Sequence, residues 1–208
     1  MKPKLAPTLI IGPTGSGKTV LVEYLIKREN LWGDQSDQII VMSNPAGAQA
    51  YQFLIDSPKL KKRNRVFETL DVKYLQHLVD RNHKLFPDKL ITTIVILDDC
   101  LLKSEKNERC LDVLFQWTRK LKIIPVICQQ QYSQCSTVWR SNITNLFCFS
   151  LRDINSKELI YQNYLNTQYN KKEALQVLNG LDPYQCVYVT FQNAGKAEIF
   201  LFTAKMLY

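Results

Sequence analysis

Short apolar runs alternate with amphipathic segments along most of the chain. The first apolar run covers residues 9–11, and the segment after it, residues 18–29, places Val22, Leu25 and Ile26 at helical spacing. The run therefore predicts a strand and the following segment a helix.

The same alternation continues to the end of the chain. Further strands are predicted at residues 38–42, 91–97, 123–128, 146–151, 186–191 and 198–202, and further helices at residues 72–84, 107–121, 156–165 and 171–178. The β-branched run at 91–97 is typical of a central strand that is buried on both faces. Residues 45–65 show no clear period, and turn residues 193–196 predict a hairpin between the last two strands. This order predicts an α/β fold with a largely parallel sheet and an antiparallel carboxyl-terminal edge.

Length and composition predict one globular unit. The chain has 208 residues, of which 46% are hydrophobic, with only 7 Gly and 8 Pro. This composition excludes a disordered or low-complexity protein. Since the sequence shows no internal repeat and no Ser- or Pro-rich linker, we predict a single domain over residues 1–208. No stretch approaches the roughly 20 apolar residues that cross a bilayer, so we expect neither a secreted nor a membrane-spanning protein.

Cysteine spacing indicates the redox compartment of the protein, and net charge indicates the class of its binding partners. The six cysteines form no CxxC pair, and His77 and His83 are the only histidines, so no zinc-ligand spacing can be assembled. We expect reduced, structural thiols in a cytosol-like compartment. The formal net charge of +8 favours polyanionic partners.

The strongest motif lies between the first predicted strand and helix. It consists of Gly12, Pro13, Thr14, Gly15, Ser16, Gly17, Lys18 and Thr19, a complete GxxxxGK[ST] loop. In such a loop the backbone amides surround the β-phosphate, and the helix presents its positive dipole end to the same anion. We predict that Lys18 contacts the β- and γ-phosphates of ATP and that the Thr19 hydroxyl binds Mg²⁺.

Two carboxylates end the predicted central strand. Asp98 is the predicted magnesium ligand, which holds the ion through water, and Asp99 occupies the position from which a carboxylate can polarise the attacking water. Aspartate is one methylene shorter than glutamate, so the water must lie closer or the strand end must shift. The alternative is that the pair is a solvated strand terminus or a helix cap.

Three glutamines, residues 129–131, follow the next predicted strand. A polar side chain at that tip can contact both the γ-phosphate and the attacking water. We therefore predict that Gln130 is a sensor of hydrolysis, and the alternative is an ordinary polar loop.

With the segment VWRSN at residues 138–142, these motifs resemble those of the poxvirus-type genome-packaging ATPases. That family belongs to the FtsK/HerA P-loop superfamily and occurs in large DNA viruses, virophages and related tailless viruses. The resemblance extends from about Leu9 to the terminal hairpin. It implies a P-loop NTPase that couples ATP hydrolysis to translocation of double-stranded DNA into a preformed capsid.

The resemblance also implies roles for individual residues and partners. Lys18 and Thr19 would contact nucleotide and metal, with Asp98 on Mg²⁺, Asp99 as the base, Gln130 as the sensor and Arg140 as an arginine finger. The expected partners are DNA, a homo-oligomeric ring, and capsid or internal-membrane vertex proteins. The expected location is the host-cell cytoplasm at the site of viral assembly, with the virion as a second location. No nuclease or DNA-guiding domain is recognisable, so the contact with DNA stays unassigned.

Two basic features allow more than one interpretation. Arg140 could instead be a helix-terminal arginine or contact the DNA backbone. A basic run could line the channel of a ring or be solvated; it consists of Lys59, Lys61, Lys62, Arg63 and Arg65.

Two other classes of P-loop protein share the GxxxxGK[ST] loop. A small nucleotide kinase should carry an arginine-rich lid and an acceptor pocket, and it is the alternative that we retain. A GTP-dependent switch should carry Asn-Lys-x-Asp after a strand. The nearest match, NKKE at residues 170–173, starts a predicted helix and has the wrong fourth residue.

Overall fold

A mixed sheet organises the part of the chain that the structure, a computed structural model, describes: residues 2–56, 63–100, 105–193 and 196–203. Its eight strands are β1 (Thr8–Ile11), β2 (Gln38–Ser43), β3 (Arg65–Phe67), β4 (Thr93–Asp98), β5 (Ile123–Gln129), β6 (Asn145–Phe149), β7 (Gln185–Asn193) and β8 (Lys196–Thr203). Their order across the sheet is β3-β2-β4-β5-β1-β6-β7-β8. The first six strands in that order run parallel to one another. β7 pairs antiparallel with β6, and β8 pairs antiparallel with β7. This confirms the predicted fold class.

Helices cover both faces of the sheet. The α-helices of the described residues are α1 (Lys18–Lys27), α2 (Pro45–Ala50), α3 (Phe53–Asp56), α4 (Val72–Lys84), α5 (Glu105–Gln116), α6 (Thr118–Leu121), α7 (Thr137–Asn142), α8 (Ile154–Ile160) and α9 (Lys171–Asn179). Side chains of α1 and α3 pack in one core cluster, and side chains of α4 to α9 pack in the other. Among these helices, none combines the length and the apolarity needed to cross a bilayer.

The central strands divide their side chains between the two clusters. In β4, Val95 and Leu97 belong to the cluster under α4 and α5, whereas Ile94 and Ile96 belong to the cluster under α1. All four are fully buried. Because successive side chains of a strand point to opposite faces, a strand covered on both sides must be apolar at every position. The prediction that this run is a central strand is confirmed.

The sequence pattern missed the shortest elements. Residues 45–65 include α2, α3 and the first residue of β3, and all three elements are too short to show a period. The predicted helix at 107–121 is two helices, because the Thr118 hydroxyl donates a hydrogen bond to the Leu114 carbonyl at 2.7 Å and competes with the backbone ladder. The predicted helix at 156–165 begins earlier, at Ile154, because Asp153 caps it, and it ends in a π-helical turn. That residues 1–208 form one P-loop ATPase domain stays a prediction.

A buried asparagine ties three strands together. Asn145, at the start of β6, is fully buried. Its amide nitrogen donates to the Lys4 carbonyl at 3.0 Å and to Thr8 Oγ1 at 3.2 Å. Its Oδ1 accepts from the Tyr188 hydroxyl at 2.9 Å and from Thr190 Oγ1 at 3.1 Å. The side chain thus uses both donors and both lone pairs to join β1, β6 and β7.

We expect Asn145→Ala to lower the free energy of unfolding by about 3 kcal/mol, because its buried partners lose their hydrogen bonds. Urea unfolding followed by circular dichroism measures the change. The control is Asn142→Ala, which removes an exposed asparagine and should cost less than about 0.5 kcal/mol. Equal losses in the two variants would contradict the role of the network.

Candidate nucleotide-binding site

The loop between β1 and α1 is a tight turn that requires glycine. Gly17 has a φ of +105°, and a Cβ placed there would lie 2.7 Å from Cδ1 of Tyr184. A Cβ on Gly12 would lie 2.5 Å from Ser16 Oγ and 2.8 Å from the Cβ of Phe149. Any larger residue would strain the backbone or force these neighbours to move. The loop is therefore held in a compact curve at the amino terminus of α1.

Lys18 places a buried cation at this loop. Its Nζ donates to the carbonyl oxygens of Gly12 at 2.9 Å and Pro13 at 3.2 Å, and it lies 3.7 Å from Oδ2 of Asp99. The side chain is only 5% exposed. An anion at the loop would meet this charge in a poorly solvated setting, where ionic hydrogen bonds are strong.

Asp98 and Thr19 meet although 79 residues separate them in the chain. The Thr19 hydroxyl donates to Oδ2 of Asp98 at 3.0 Å, and the same oxygen accepts from the Tyr51 hydroxyl at 2.7 Å. Asp98 is 4% exposed, and its carbonyl accepts from Ser43 Oγ at 2.9 Å. Hydroxyl and carboxylate oxygens are ligands that Mg²⁺ prefers.

Asp99 turns away from the strand and towards Lys18. Its φ of +48° lies in the left-handed region, which aspartate tolerates better than most residues. Burial raises the pKa of the Asp99 carboxyl. The Lys18 ammonium and a contact from the Gln130 amide oppose that rise in pKa, and the charge of Asp98 adds to it. Asp99 is thus a half-buried carboxylate beside the loop cation.

The three glutamines have different surroundings. The Gln129 carbonyl accepts from the Gly12 amide at 3.1 Å, and Gln131 Oε1 accepts from Gln134 Nε2 at 2.6 Å. Gln130 is exposed and its amide contacts Asp99. β5 lies between β1 and β4 in the sheet, so its tip lies between the end of β1, where the loop begins, and the end of β4, where the two aspartates follow. The structure thus places Gln130 beside Asp99, and its sensor role stays a prediction.

These residues fit a nucleotide phosphate with a magnesium ion. Ser16 Oγ is buried in the loop without a hydrogen-bond partner among the described residues, and Lys18 supplies a cation at the same place. The Thr19 and Asp98 oxygens lie together at the start of α1. A phosphate chain would accept hydrogen bonds from the loop, and the ion would bind next to it.

Comparison with known proteins decides the family. The model for the family described as "Poxvirus A32 protein" matches residues 6–189 of this chain. The chain belongs to the poxvirus A32 protein family. The A32 family is a family of ATPases, so the resemblance to poxvirus-type packaging ATPases is confirmed, and so is the prediction of an ATPase.

Solved structures share the fold of this A32-family protein. B204, the DNA-packaging ATPase of Sulfolobus turreted icosahedral virus, superposes with a TM-score of 0.65 at 19% identity, over 94% of this chain and 97% of that one. B204 from Sulfolobus turreted icosahedral virus 2 in complex with AMP gives 0.63 at 19% identity, over 96% and 98%. EssC (ATPases 2 and 3) from Geobacillus thermodenitrificans gives 0.59 at 15% identity, over 96% of this chain and 40% of that one. A comparison with curated protein sequences gives no match.

Arg140 lies apart from these groups in the A32-family chain. Its guanidinium donates to Thr137 Oγ1 at 3.3 Å and lies over the ring of Tyr132, 5.5 Å from the centroid. Its carbonyl accepts from the Tyr164 hydroxyl at 3.3 Å. None of the contacts found for it within the described residues involves the loop or either aspartate. The arginine-finger role stays a prediction, as does the role of the basic run, whose Lys59, Lys61 and Lys62 lie outside the described residues.

Sequence reasoning missed two tyrosines at the site. Tyr51 lies in the segment without a period, and only the fold brings its hydroxyl to Asp98. Tyr184 has a φ of +64°, which is unusual for a bulky residue, and its ring packs against Gly17. Neither position carries a motif, so no signal in the sequence marks them.

We expect Asp99→Asn and Asp98→Asn to separate chemistry from metal binding. Asp99→Asn keeps the shape but removes the proton acceptor, so ATP should stay bound while hydrolysis falls about a hundredfold to ten-thousandfold. Asp98→Asn should instead raise the Mg²⁺ concentration needed for activity. Calorimetry and steady-state hydrolysis across a Mg²⁺ series measure both effects.

The pH dependence gives a control for the same pair. Asp99 must be ionised to accept a proton, and its pKa is raised above the ordinary value. Hydrolysis should therefore be lost as the pH falls through a pKa above the usual aspartate range, and the residual activity of Asp99→Asn should lack this limb. If the effects of the two substitutions were exchanged, the assignment of base and ligand would be wrong.

Proposed function

We propose that this A32-family ATPase is the motor that translocates double-stranded viral DNA into a preformed capsid. The observation that carries the proposal is the position of the Asp99 carboxylate, 3.7 Å from Lys18 at the mouth of the phosphate loop. A carboxylate there can activate water, as a hydrolase requires. The match of the fold to a DNA-packaging ATPase over 94% of the chain supports the same role.

Different groups around the loop would bind the phosphates of ATP and the magnesium ion. Lys18 and the loop amides bind the phosphates and hold the terminal phosphate next to Asp99. Thr19 and Asp98 would hold Mg²⁺, which supplies neutralisation of charge on the phosphate oxygens when it is bound. These contacts fix the nucleotide before any chemistry occurs, so binding and hydrolysis can be tested separately.

Asp99 orients the attacking water and accepts its proton, and Gln130 contacts the same carboxylate. The left-handed backbone of Asp99 turns the strand end towards the loop, which supports a catalytic role for a side chain shorter than glutamate. Gln130 would then report the state of the terminal phosphate through that contact.

The proposed substrate of the motor is a polymer of dense negative charge. A packaging motor must grip phosphates without reading the base sequence, and the net charge of +8 favours such a grip. Arg63 and Arg65 of the basic run are exposed next to β2. We further propose a homo-oligomeric ring that docks on capsid or internal-membrane vertex proteins. It would act in the host cytoplasm at the assembly site, and the virion is its second proposed location.

Steady-state ATP hydrolysis with and without double-stranded DNA tests the proposal. We expect DNA of unrelated sequences to stimulate hydrolysis several-fold, and we expect the stimulation to fade between about 50 and about 200 mM salt. Lys18→Ala, which removes the phosphate-binding cation, should show no turnover in either condition. Nucleoside monophosphates are included as competing acceptors. A monomeric enzyme that ignores DNA and phosphorylates them would favour the small P-loop nucleotide kinase.

Mixed oligomers test whether Arg140 acts on a neighbouring subunit. Arg140→Ala and Lys18→Ala proteins should each be inactive alone, and a one-to-one mixture should regain activity, because about a quarter of the interfaces in a random ring pair an intact loop with an intact Arg140. The measurement is hydrolysis by the mixture after subunit exchange.

The matched control combines Asp99→Asn with Lys18→Ala. Asp99 and Lys18 lie together within one chain, so this mixture contains no additional complete site and should not recover. If mixed oligomers form and neither mixture recovers, Arg140 acts within its own subunit or on DNA.

A further inference from the structure

The proposed magnesium ligand is held by a residue that lies outside the sequence motifs. Oδ2 of Asp98 accepts hydrogen bonds from the Thr19 hydroxyl at 3.0 Å and from the Tyr51 hydroxyl at 2.7 Å. Tyr51 is fully buried. The single O–H donor of this phenol therefore makes its hydrogen bond to the Asp98 carboxylate.

The backbone around Tyr51 is built onto the end of β2. Asn44 caps α2 by accepting from the Gly47 amide at 2.8 Å, and Tyr51 closes the helix by donating its amide to the Ala48 carbonyl at 3.0 Å. A Cβ on Gly47 would lie 2.1 Å from Ser43 Oγ. The glycine thus lets the first turn of α2 lie directly on the strand end.

Ser43 connects this helix start to the same aspartate. It pairs with Asp98 in the sheet register, and its hydroxyl donates to the Asp98 carbonyl at 2.9 Å. The main chain of Asp98 is therefore fixed by Ser43 and its side chain by Tyr51. Both come from the segment that runs from β2 through α2.

We propose that Tyr51 is a positioning residue for Asp98, which fixes the carboxylate in the orientation that binds Mg²⁺. A carboxylate can rotate about its terminal bond, and two donors on Oδ2 remove that freedom. Oδ1 would then be the oxygen left to hold a bound ion or its water. Thr19 can bind the metal through its oxygen while its proton still points to Asp98, so the two donors are compatible with a bound ion.

This inference rests on the proposed role of Asp98 as a magnesium ligand, and it explains how the Asp98 carboxylate is oriented for that role. Partners that orient a ligand contribute to metal affinity without touching the metal, and their loss typically costs about tenfold to a hundredfold. A residue that only fills space would change nucleotide binding equally with and without Mg²⁺. The metal dependence of binding therefore separates the two roles.

The test is Tyr51→Phe, which keeps the buried ring and removes the hydroxyl. Binding of a fluorescent ATP analogue is measured in EDTA and across a Mg²⁺ series. We expect the Mg²⁺ concentration for half-maximal enhancement of binding to rise about tenfold, with no change in EDTA. The control is Tyr188→Phe, which removes another buried hydroxyl that donates to a side chain, at 2.9 Å from Asn145 Oδ1, and should leave the Mg²⁺ dependence unchanged.

Asp98→Asn distinguishes the two ways in which the idea can fail. If Asp98→Asn loses the Mg²⁺ dependence and Tyr51→Phe retains it, Tyr51 is not a positioning residue, and the proposed function stands. If Asp98→Asn also retains it, Asp98 is not the ligand, and both assignments fall. Equal weakening by Tyr51→Phe in EDTA and in Mg²⁺ would assign the hydroxyl a purely structural role.

Discussion

The candidate site depends on the hydrogen-bonded register of three adjacent parallel strands. β5 lies between β1 and β4, with Ile11 paired to Gln129 and Asp98 paired to Cys128. This pairing ends the three strands at one edge of the sheet, where the loop, the aspartates and the glutamines meet. Because strand side chains alternate, a slip of one residue would turn Asp98 to the other face and bury an apolar neighbour in its place. The apolar clusters on both faces oppose such a slip, so packing of the core fixes the geometry of the chemistry.

The two adjacent aspartates differ in exposure, which fits the different roles proposed for them. Asp98 is 4% exposed and is surrounded by hydroxyl donors, whereas the Asp99 side chain is 26% exposed and faces a cation. A buried, fully oriented carboxylate suits a metal, since reorganisation would cost binding energy. A partly exposed carboxylate can meet water. The same backbone that ends β4 supplies both, because the left-handed turn at Asp99 redirects the second side chain towards Lys18.

The sequence predicted what local pattern controls and missed what distant contacts control. A continuous apolar run such as β4 can be recognised as a buried strand, and the GxxxxGK[ST] spacing marks the loop, because both signals lie within a few neighbouring residues. α7 and β3 are only 6 and 3 residues long, so they carry no period. The Tyr51 hydroxyl bonds to Asp98, which is 47 positions away in the chain, and Asn145 bonds to Tyr188, which is 43 positions away. Only the folded sheet brings these pairs together. Left-handed backbone at Asp99 and Tyr184 is likewise set by tertiary contacts.

The packing of α7 bears on how Arg140 could reach a phosphate. Trp139, the preceding residue, is 4% exposed and stacks on Phe115 of α5 with ring centroids 6.0 Å apart. Moving α7 would expose this pair. Truncating a buried Phe or Trp to Ala typically lowers the free energy of unfolding by about 3 to 5 kcal/mol, so exposing both rings would be costly. The guanidinium is also held over Tyr132, on the face that carries α4 to α9. If Arg140 acts on a nucleotide, as proposed, an arginine fixed in this way is better suited to meet one on a second subunit than to travel to the loop of its own chain, because assembly costs no internal packing.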